Sequence, residues 1–281
     1  MTIHKTILKY RNVGSRFPLV IAMFTADRLH HANRLHQSLL KHKLSHRICE
    51  IDKIHSSTSV KGDRESVFTK PHFIKSWLTH THKPILYVDA DTVFKSVPTL
   101  ISQSIIQGTK LGLYNWLSAE ENQTFFNVNQ ASTPTTLRAV YGNYPSKFFT
   151  KGFRIDHMSA EQIIVSGAVQ FWANDALCLS LLDAWQATIL ANPNSRDDHC
   201  LDYAYNNFSD RSRLSLLSLP RSYCRYAWWP DVKPVIDHPD VPALNMPWQP
   251  LAPEYLAKRI HPEHLRPRPE ATPQSSNLPS A

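Results

Sequence analysis

A short apolar run that ends in two aspartates constrains this chain more than any other feature. The segment is KPILYVDADTVFKSVP, Lys83 to Pro98. Ile85 to Val88 is rich in β-formers and reads as a buried strand. In extended backbone, residues two apart point the same way. Asp89 and Asp91 therefore converge at the carboxyl end of that strand, with only Ala90 between them. In an open α/β sheet, ligands bind at that end. Two carboxylates side by side repel unless a cation joins them. A hard divalent cation suits carboxylate oxygens and keeps positions open for substrate phosphates. Taken alone, an exposed loop acid beside a turn-capping acid accounts for the pair equally well.

The flanking pattern predicts an α/β fold. Phe17 to Thr25 is a first strand candidate, and Asp27 is placed to cap the helix that follows. Leu29, Ala32, Leu35, Leu39, Leu40 and Leu44 form one apolar stripe, and His30, His31, Arg34, Lys41 and His42 form a solvated opposite face. A second strand, RICEI, lies within Ser45 to Ile54, completing a βαβ rhythm with parallel strands. After a polar loop, His55 to Glu65, a helix spans Thr69 to Thr79 with Pro71 in its first turn. Beyond the aspartates come a helix at Val97 to Gln107 and a strand at Lys110 to Trp116. Ser118 to Met158 has weak periodicity and reads as a functional loop or an acceptor-side insertion.

Gln162 to Phe171 is a strand with Ser166, Gly167 and Ala168 in its middle, where glycine marks a bulge or a close backbone approach. Asn174 is placed to cap a helix carrying Leu177, Leu181, Leu182, Trp185 and Ile189 on one face. A second helix, Ser195 to Phe208, opens with Asp197 and Asp198, where carboxylates gain from the helix dipole. Leu214 to Leu219 and Val235-Ile236 are late strands. Met1 to Arg16 reads as a loose lead-in. The expected organisation is one domain over residues 1–245 and a proline-rich, disordered tail over 246–281, with a short helix near Glu254 to Arg259.

With 281 residues, 42% of them hydrophobic, the chain can bury a substantial core. Its formal charge of +8 favours anionic partners such as nucleotides or phosphorylated glycans. Nucleic acid is not expected, because no basic run carries interleaved aromatics and no Cys/His set has zinc spacing. None of the seven glycines forms a GxGxxG turn, which argues against a dinucleotide enzyme or a P-loop NTPase. Cys49, Cys178, Cys200 and Cys224 are dispersed, Met1 to Asp27 lacks the apolar core of a signal peptide, and no apolar run reaches bilayer length. A cytoplasmic protein with reduced thiols is expected, with a peripheral contact at the inner face of a membrane left open.

Five pieces in order carry a resemblance: TKPHFIKSWL, YVDADTVF, VSGAVQFWAND, DDHCLDYAYN and KPVIDHPD. Together they resemble glycosyltransferases of the GT-A fold, specifically the nucleotide-diphospho-sugar transferase family, over roughly residues 17 to 245. The resemblance implies a GT-A, Rossmann-like, mixed and mostly parallel sheet flanked by helices. It implies a hexosyltransferase using Mn²⁺ or Mg²⁺, a nucleotide-sugar donor with a UDP-sugar favoured, and a glycan or glycolipid acceptor in surface glycan synthesis. It places Asp89, Asp91 and His238 on the metal. It places Thr25, Lys70, Asp89, Ser166 and Gly167 on the nucleotide-sugar. On the acceptor side it offers Asp197 and Asp198, with His199 behind them. Read from the residues alone, Lys70 is either phosphate-facing or a surface lysine, and His238 is either a ligand or bonded to Asp237.

Two other readings use the same residues. A phosphatase of the haloacid dehalogenase type also ends a buried strand in DxD, and DDHCLD has the look of its later acidic motif. Against it, Thr92 is one residue too early for that pattern, and Asp197 follows NPNSR rather than an apolar strand. A catalytically inactive nucleotide-sugar-binding protein would keep the same metal residues.

Overall fold

The computed structural model describes residues 6–12, 17–51, 70–115, 165–191, 197–226 and 232–239. By internal contacts the chain divides into residues 1–249 and 250–281, and every described residue lies in the first unit. The loop at 55–65, the weakly periodic 118–158 segment and the proline-rich tail lie outside the described residues.

A seven-stranded mixed sheet forms the centre. Its strands are β1 (Thr6–Tyr10), β2 (Leu19–Phe24), β3 (His46–Glu50), β4 (Ile85–Val88), β6 (Leu111–Asn115), β7 (Val165–Trp172) and β8 (Leu216–Ser218), in the order β1-β3-β2-β4-β7-β6-β8. The β3/β2, β2/β4 and β6/β8 pairs are parallel; the β1/β3, β4/β7 and β7/β6 pairs are antiparallel. Five helices flank it among the described residues: α1 (Leu29–Lys41), α2 (Lys70–Thr81), α3 (Thr99–Ile106), α4 (Ala176–Ala191) and α5 (Asp197–Asn206). A second sheet, of order β5-β10-β9, joins β5 (Val93–Phe94), β10 (Ile236–His238) and β9 (Arg225–Tyr226).

Strand alternation splits the core into two layers. Val20, Ala22 and Phe24 pack with Ala32, Leu35 and Leu39 of α1. Ile21 and Met23 face the other way, with Phe73 and Ile74 of α2, Leu181 and Trp185 of α4 and Leu201 of α5. A sheet covered on both faces needs strands that are apolar throughout. All four residues of β4 and all eight of β7 are buried. Among the described residues, no helix is long and apolar enough to cross a membrane.

Local details depart from the sequence reading. The lead-in supplies β1, which pairs with the outer edge of β3; that pairing is a tertiary event with no periodic signal of its own. Asp27 does not cap α1, because a 3-10 turn at Ala26–Arg28 comes first and leaves Arg28 at the cap position without a side-chain cap. Leu29 consequently falls outside the stripe and is exposed. At α4 the cap is Asp175 rather than Asn174: its Oδ1 accepts the Leu177 N–H at 2.9 Å. His31, expected on the solvated face of α1, is buried. The four cysteines are free and buried.

His46, at the start of β3, is fully buried. Its Nδ1 lies 2.8 Å from the Leu44 carbonyl, so it carries the proton there and leaves Nε2 to accept from His36 Nδ1 at 2.7 Å. Burial pushes its pKa from 6.5 down to about 4, and the neighbouring His36 and Arg47 push the same way. The unfolded chain therefore takes up this proton more readily than the folded one. The stability from neutral His46 is complete above pH 6.5 and is lost as pH falls toward 4, on the order of 2–3 kcal/mol. We expect the urea midpoint to fall between pH 7 and pH 4.5, and to fall less in His46→Asn. An equal fall in both proteins would remove His46 as its source.

Candidate active site

The site is built around the turn after β4. The Asp89 N–H donates to the Ala168 carbonyl of β7 at 2.9 Å. Both the Thr92 N–H and its hydroxyl donate to the Asp89 carbonyl, at 3.1 and 2.8 Å. Arg34 of α1 donates to the Asp91 carbonyl at 3.1 Å, and the Phe94 N–H to Ser38 Oγ at 3.1 Å. The turn is thus fixed by the sheet on one side and by α1 on the other.

The chain then runs into β5, and β5 pairs antiparallel with β10. This pairing returns His238 to the two aspartates. Ligand atoms of Asp89, Asp91 and His238 lie within 4.8 Å of one another, and His238 Nε2 is 3.7 Å from Asp91 Oδ1. Asp91 Oδ1 is buried without a hydrogen-bond partner. An orphaned carboxylate oxygen beside an imidazole and a second carboxylate fits a divalent cation. The alternative bond from His238 to Asp237 is not made. Asp237 points to the opposite face of β10, where Arg225 Nη2 donates to Oδ2 at 2.8 Å and Arg225 Nε lies 2.8 Å from Oδ1.

Lys70 is 5% exposed, which removes the surface-lysine reading. Its Nζ lies 2.6 Å from Asp197 Oδ2, 3.2 Å from Asp89 Oδ1 and 3.2 Å from the Gly167 carbonyl. Three oxygens match the three N–H bonds of an ammonium. Burial opposes the charge, yet Asp197 and Asp89 hold the lysine pKa well above its ordinary value. Asp89, whose side chain is 34% exposed, is shifted upward by burial and by the Asp91 and Asp197 carboxylates, against the pull of Lys70. Without a metal, this carboxyl therefore keeps its proton to higher pH than an ordinary aspartate.

Gly167 lets these groups approach. A Cβ there would lie 3.1 Å from Asp197 Oδ2, 3.4 Å from Lys70 Nζ and 3.5 Å from the Asp198 Cβ. Asp197 is further fixed by Trp185, whose indole N–H donates to its carbonyl at 2.9 Å. Ser166 is buried, with its Oγ 3.4 Å from the Cys224 sulfur. Thr25, at the carboxyl end of β2, lines a cleft of about 260 Å³ together with Arg28, His31, Lys70, Asp91 and Asp197. The side chain of His199 is outside the described residues.

Sequence reasoning missed several participants. The Tyr87 hydroxyl donates to Asp89 Oδ1 at 3.0 Å, and Lys70 Nζ sits 5.1 Å from its ring centroid. Strand alternation puts Tyr87 on the same face as Asp89 and could have found it. Gln170 supports the Gly167 carbonyl through Nε2 at 2.8 Å and carries the same alternation from Ala168. Arg34 and His31 had no signal, because the helix pattern assigns both to solvent.

No protein-family model and no curated protein matches the chain. Among solved structures it is similar to the bifunctional glycosyltransferase WbbM, at 10% identity over 82% of this chain and 46% of that one, with a TM-score of 0.47. It is similar to the glycosyltransferase GlyE of Streptococcus pneumoniae, at 12% identity over 79% of this chain and 54% of that one, TM-score 0.42. It is also similar to the galactosyltransferase LgtC in complex with donor and acceptor sugar analogues, at 9% identity over 85% and 94% of the two chains, TM-score 0.43. The chain spans about half the length of the first two.

Two expectations follow from this geometry. Removing one partner of a buried ion pair strands the other charge, at about 3–5 kcal/mol. Lys70→Met should lower unfolding free energy by that order in urea titrations, and adding Asp197→Asn should restore part of it. A single-variant loss under about 1 kcal/mol would mean the ammonium does not hold the site together. Separately, Asp91→Asn and His238→Ala should each weaken Mn²⁺ binding at least tenfold in calorimetry, with the melting temperature of Asp91→Asn close to the parent. Unchanged Mn²⁺ affinity in both would remove the triad as a metal site.

Proposed function

We propose that this chain is a metal-dependent glycosyltransferase that moves a sugar from a nucleotide-diphosphate sugar to an acceptor hydroxyl. One observation carries the reading. Asp89 and Asp91 converge with His238, about 150 residues later in the chain, at the end of β4 beside a cleft lined by Lys70 and Asp197, both of which lie against Gly167. A bound Mn²⁺ or Mg²⁺ would supply Lewis-acid stabilisation of the charge that develops on the departing nucleoside diphosphate. Asp89, Asp91 and His238 are the residues that would hold it.

The remaining groups have separable tasks in this reading. Thr25, Ser166 and the Gly167 backbone are assigned to the donor side. Lys70 fixes Asp197 and Asp89 relative to Gly167, so the carboxylates need no reorganisation when positive charge develops at the anomeric carbon. Asp197 supplies a fixed negative charge there, and Asp198, beside it at the start of α5, is the acceptor-side acid. A UDP-sugar donor and a glycan or glycolipid acceptor complete the proposal, and the +8 formal charge favours such anionic ligands.

The test is nucleotide release from a panel of UDP- and GDP-sugars, with and without Mn²⁺ and with simple sugar acceptors. Metal-dependent release of UDP or GDP, abolished in Asp91→Asn, is the expected result. Release of inorganic phosphate from phosphorylated substrates would favour a phosphatase instead. Nucleotide binding without turnover on any acceptor would favour an inactive sugar-nucleotide-binding protein.

A further inference from the structure

The donor proposed above brings a diphosphate into the cleft, and Lys70 is poorly placed to meet it. Its Nζ already donates to Asp89 and the Gly167 carbonyl and is ion-paired with Asp197 at 2.6 Å. Charge counting leads the same way. The described cleft holds three carboxylates, Asp89, Asp91 and Asp197. A divalent cation together with Lys70 balances them. The diphosphate then brings further negative charge, which a low-dielectric cleft tolerates only beside another cation.

Among the described residues, Arg28 is the other permanently charged cation lining the cleft. It sits on the 3-10 turn that replaces the expected direct entry into α1, and its N–H donates to the Thr25 carbonyl at 2.7 Å. That turn lies at the carboxyl end of β2, the strand next to β4. The Arg28 side chain is 48% exposed, so its guanidinium can reach a ligand. Asp27 Oδ2 lies 4.0 Å from Arg28 Nε, an exposed pairing worth little.

Arg28 Nη1 lies 3.5 Å from Nε2 of the buried His31 and Arg34 Nη2 lies 3.3 Å from Nδ1, and a neutral ring accepts from only one of the two. Arg34 in turn donates to the Asp91 carbonyl. The Arg28 guanidinium thus lies in a row of side chains that reaches the metal turn. We propose, resting on the glycosyltransferase reading, that Arg28 is the diphosphate-contacting residue of the donor site and that Lys70 serves the protein framework instead. A planar guanidinium offers a bidentate match to phosphate oxygens that a lysine lacks.

Calorimetric titration of UDP and GDP in the presence of Mn²⁺ tests this. Arg28→Ala should weaken the better-binding nucleotide at least tenfold, about 1.4 kcal/mol. Arg28→Lys should recover part of that loss, and Arg28→Gln should behave like Arg28→Ala. Affinity within twofold of the parent in Arg28→Ala overturns the assignment. So does parent-like affinity in Arg28→Gln, which would make the contact an uncharged one. A parent protein that binds neither nucleotide overturns the glycosyltransferase reading along with it. Parent binding that is indifferent to Arg28 overturns this assignment alone.

Discussion

The Lys70 ammonium is the interaction on which the site depends. One buried cation touches the start of α5 through Asp197, the end of β4 through Asp89 and the backbone of β7 through Gly167. Its own stem begins α2. Four elements from different parts of the chain are joined at one atom. Without it, the carboxylates at the carboxyl end of the central strand would repel, and each would lose its counter-charge in a poorly solvated place. Gly167 eases this arrangement, since a Cβ there would crowd Asp197 Oδ2 at 3.1 Å and touch Lys70 Nζ at 3.4 Å.

Around that centre, the second sheet performs the long-range work. β5 continues from the aspartate turn, and β10 pairs with it so that His238 arrives on the ligand side while Asp237 turns to Arg225. Strand alternation assigns the two neighbouring side chains to opposite tasks: one toward the candidate metal, one anchoring the strand to β9. The bidentate contact of Arg225 with a nearly inaccessible carboxylate holds the register of a strand only three residues long.

Much of this was legible in the chain. The strand that ends in Asp89 and Asp91 follows from an apolar run and a two-residue period, whereas Lys70 and His238 were singled out only through the resemblance to GT-A glycosyltransferases. The partners of Lys70 were not legible, because its three oxygens come from residues that only the tertiary fold assembles. Tyr87 was readable from alternation and was passed over, since tyrosine in a buried strand is ordinary core. His31 was misread because helical periodicity places it among polar neighbours, while its ring lies in the cleft lining between Arg28 and Arg34. β1 carries too short a pattern to announce itself. Its pairing exists because β3 offers an open edge.

The position of β7 has a consequence for how the chain is made. β4 is hydrogen-bonded to β2 on one side and to β7 on the other, yet β7 follows it in sequence only after β5, α3 and β6. While the polypeptide emerges, β2, β3 and β4 can associate as a parallel unit, leaving the central strand with a bare row of backbone donors and acceptors. Such an apolar, unpaired edge invites strands from other chains. The aspartate turn gives that interim edge two negative charges, and like charges at a strand end discourage stacking between copies. Asp89 and Asp91 would thus guard the nascent sheet against self-association before β7 closes it.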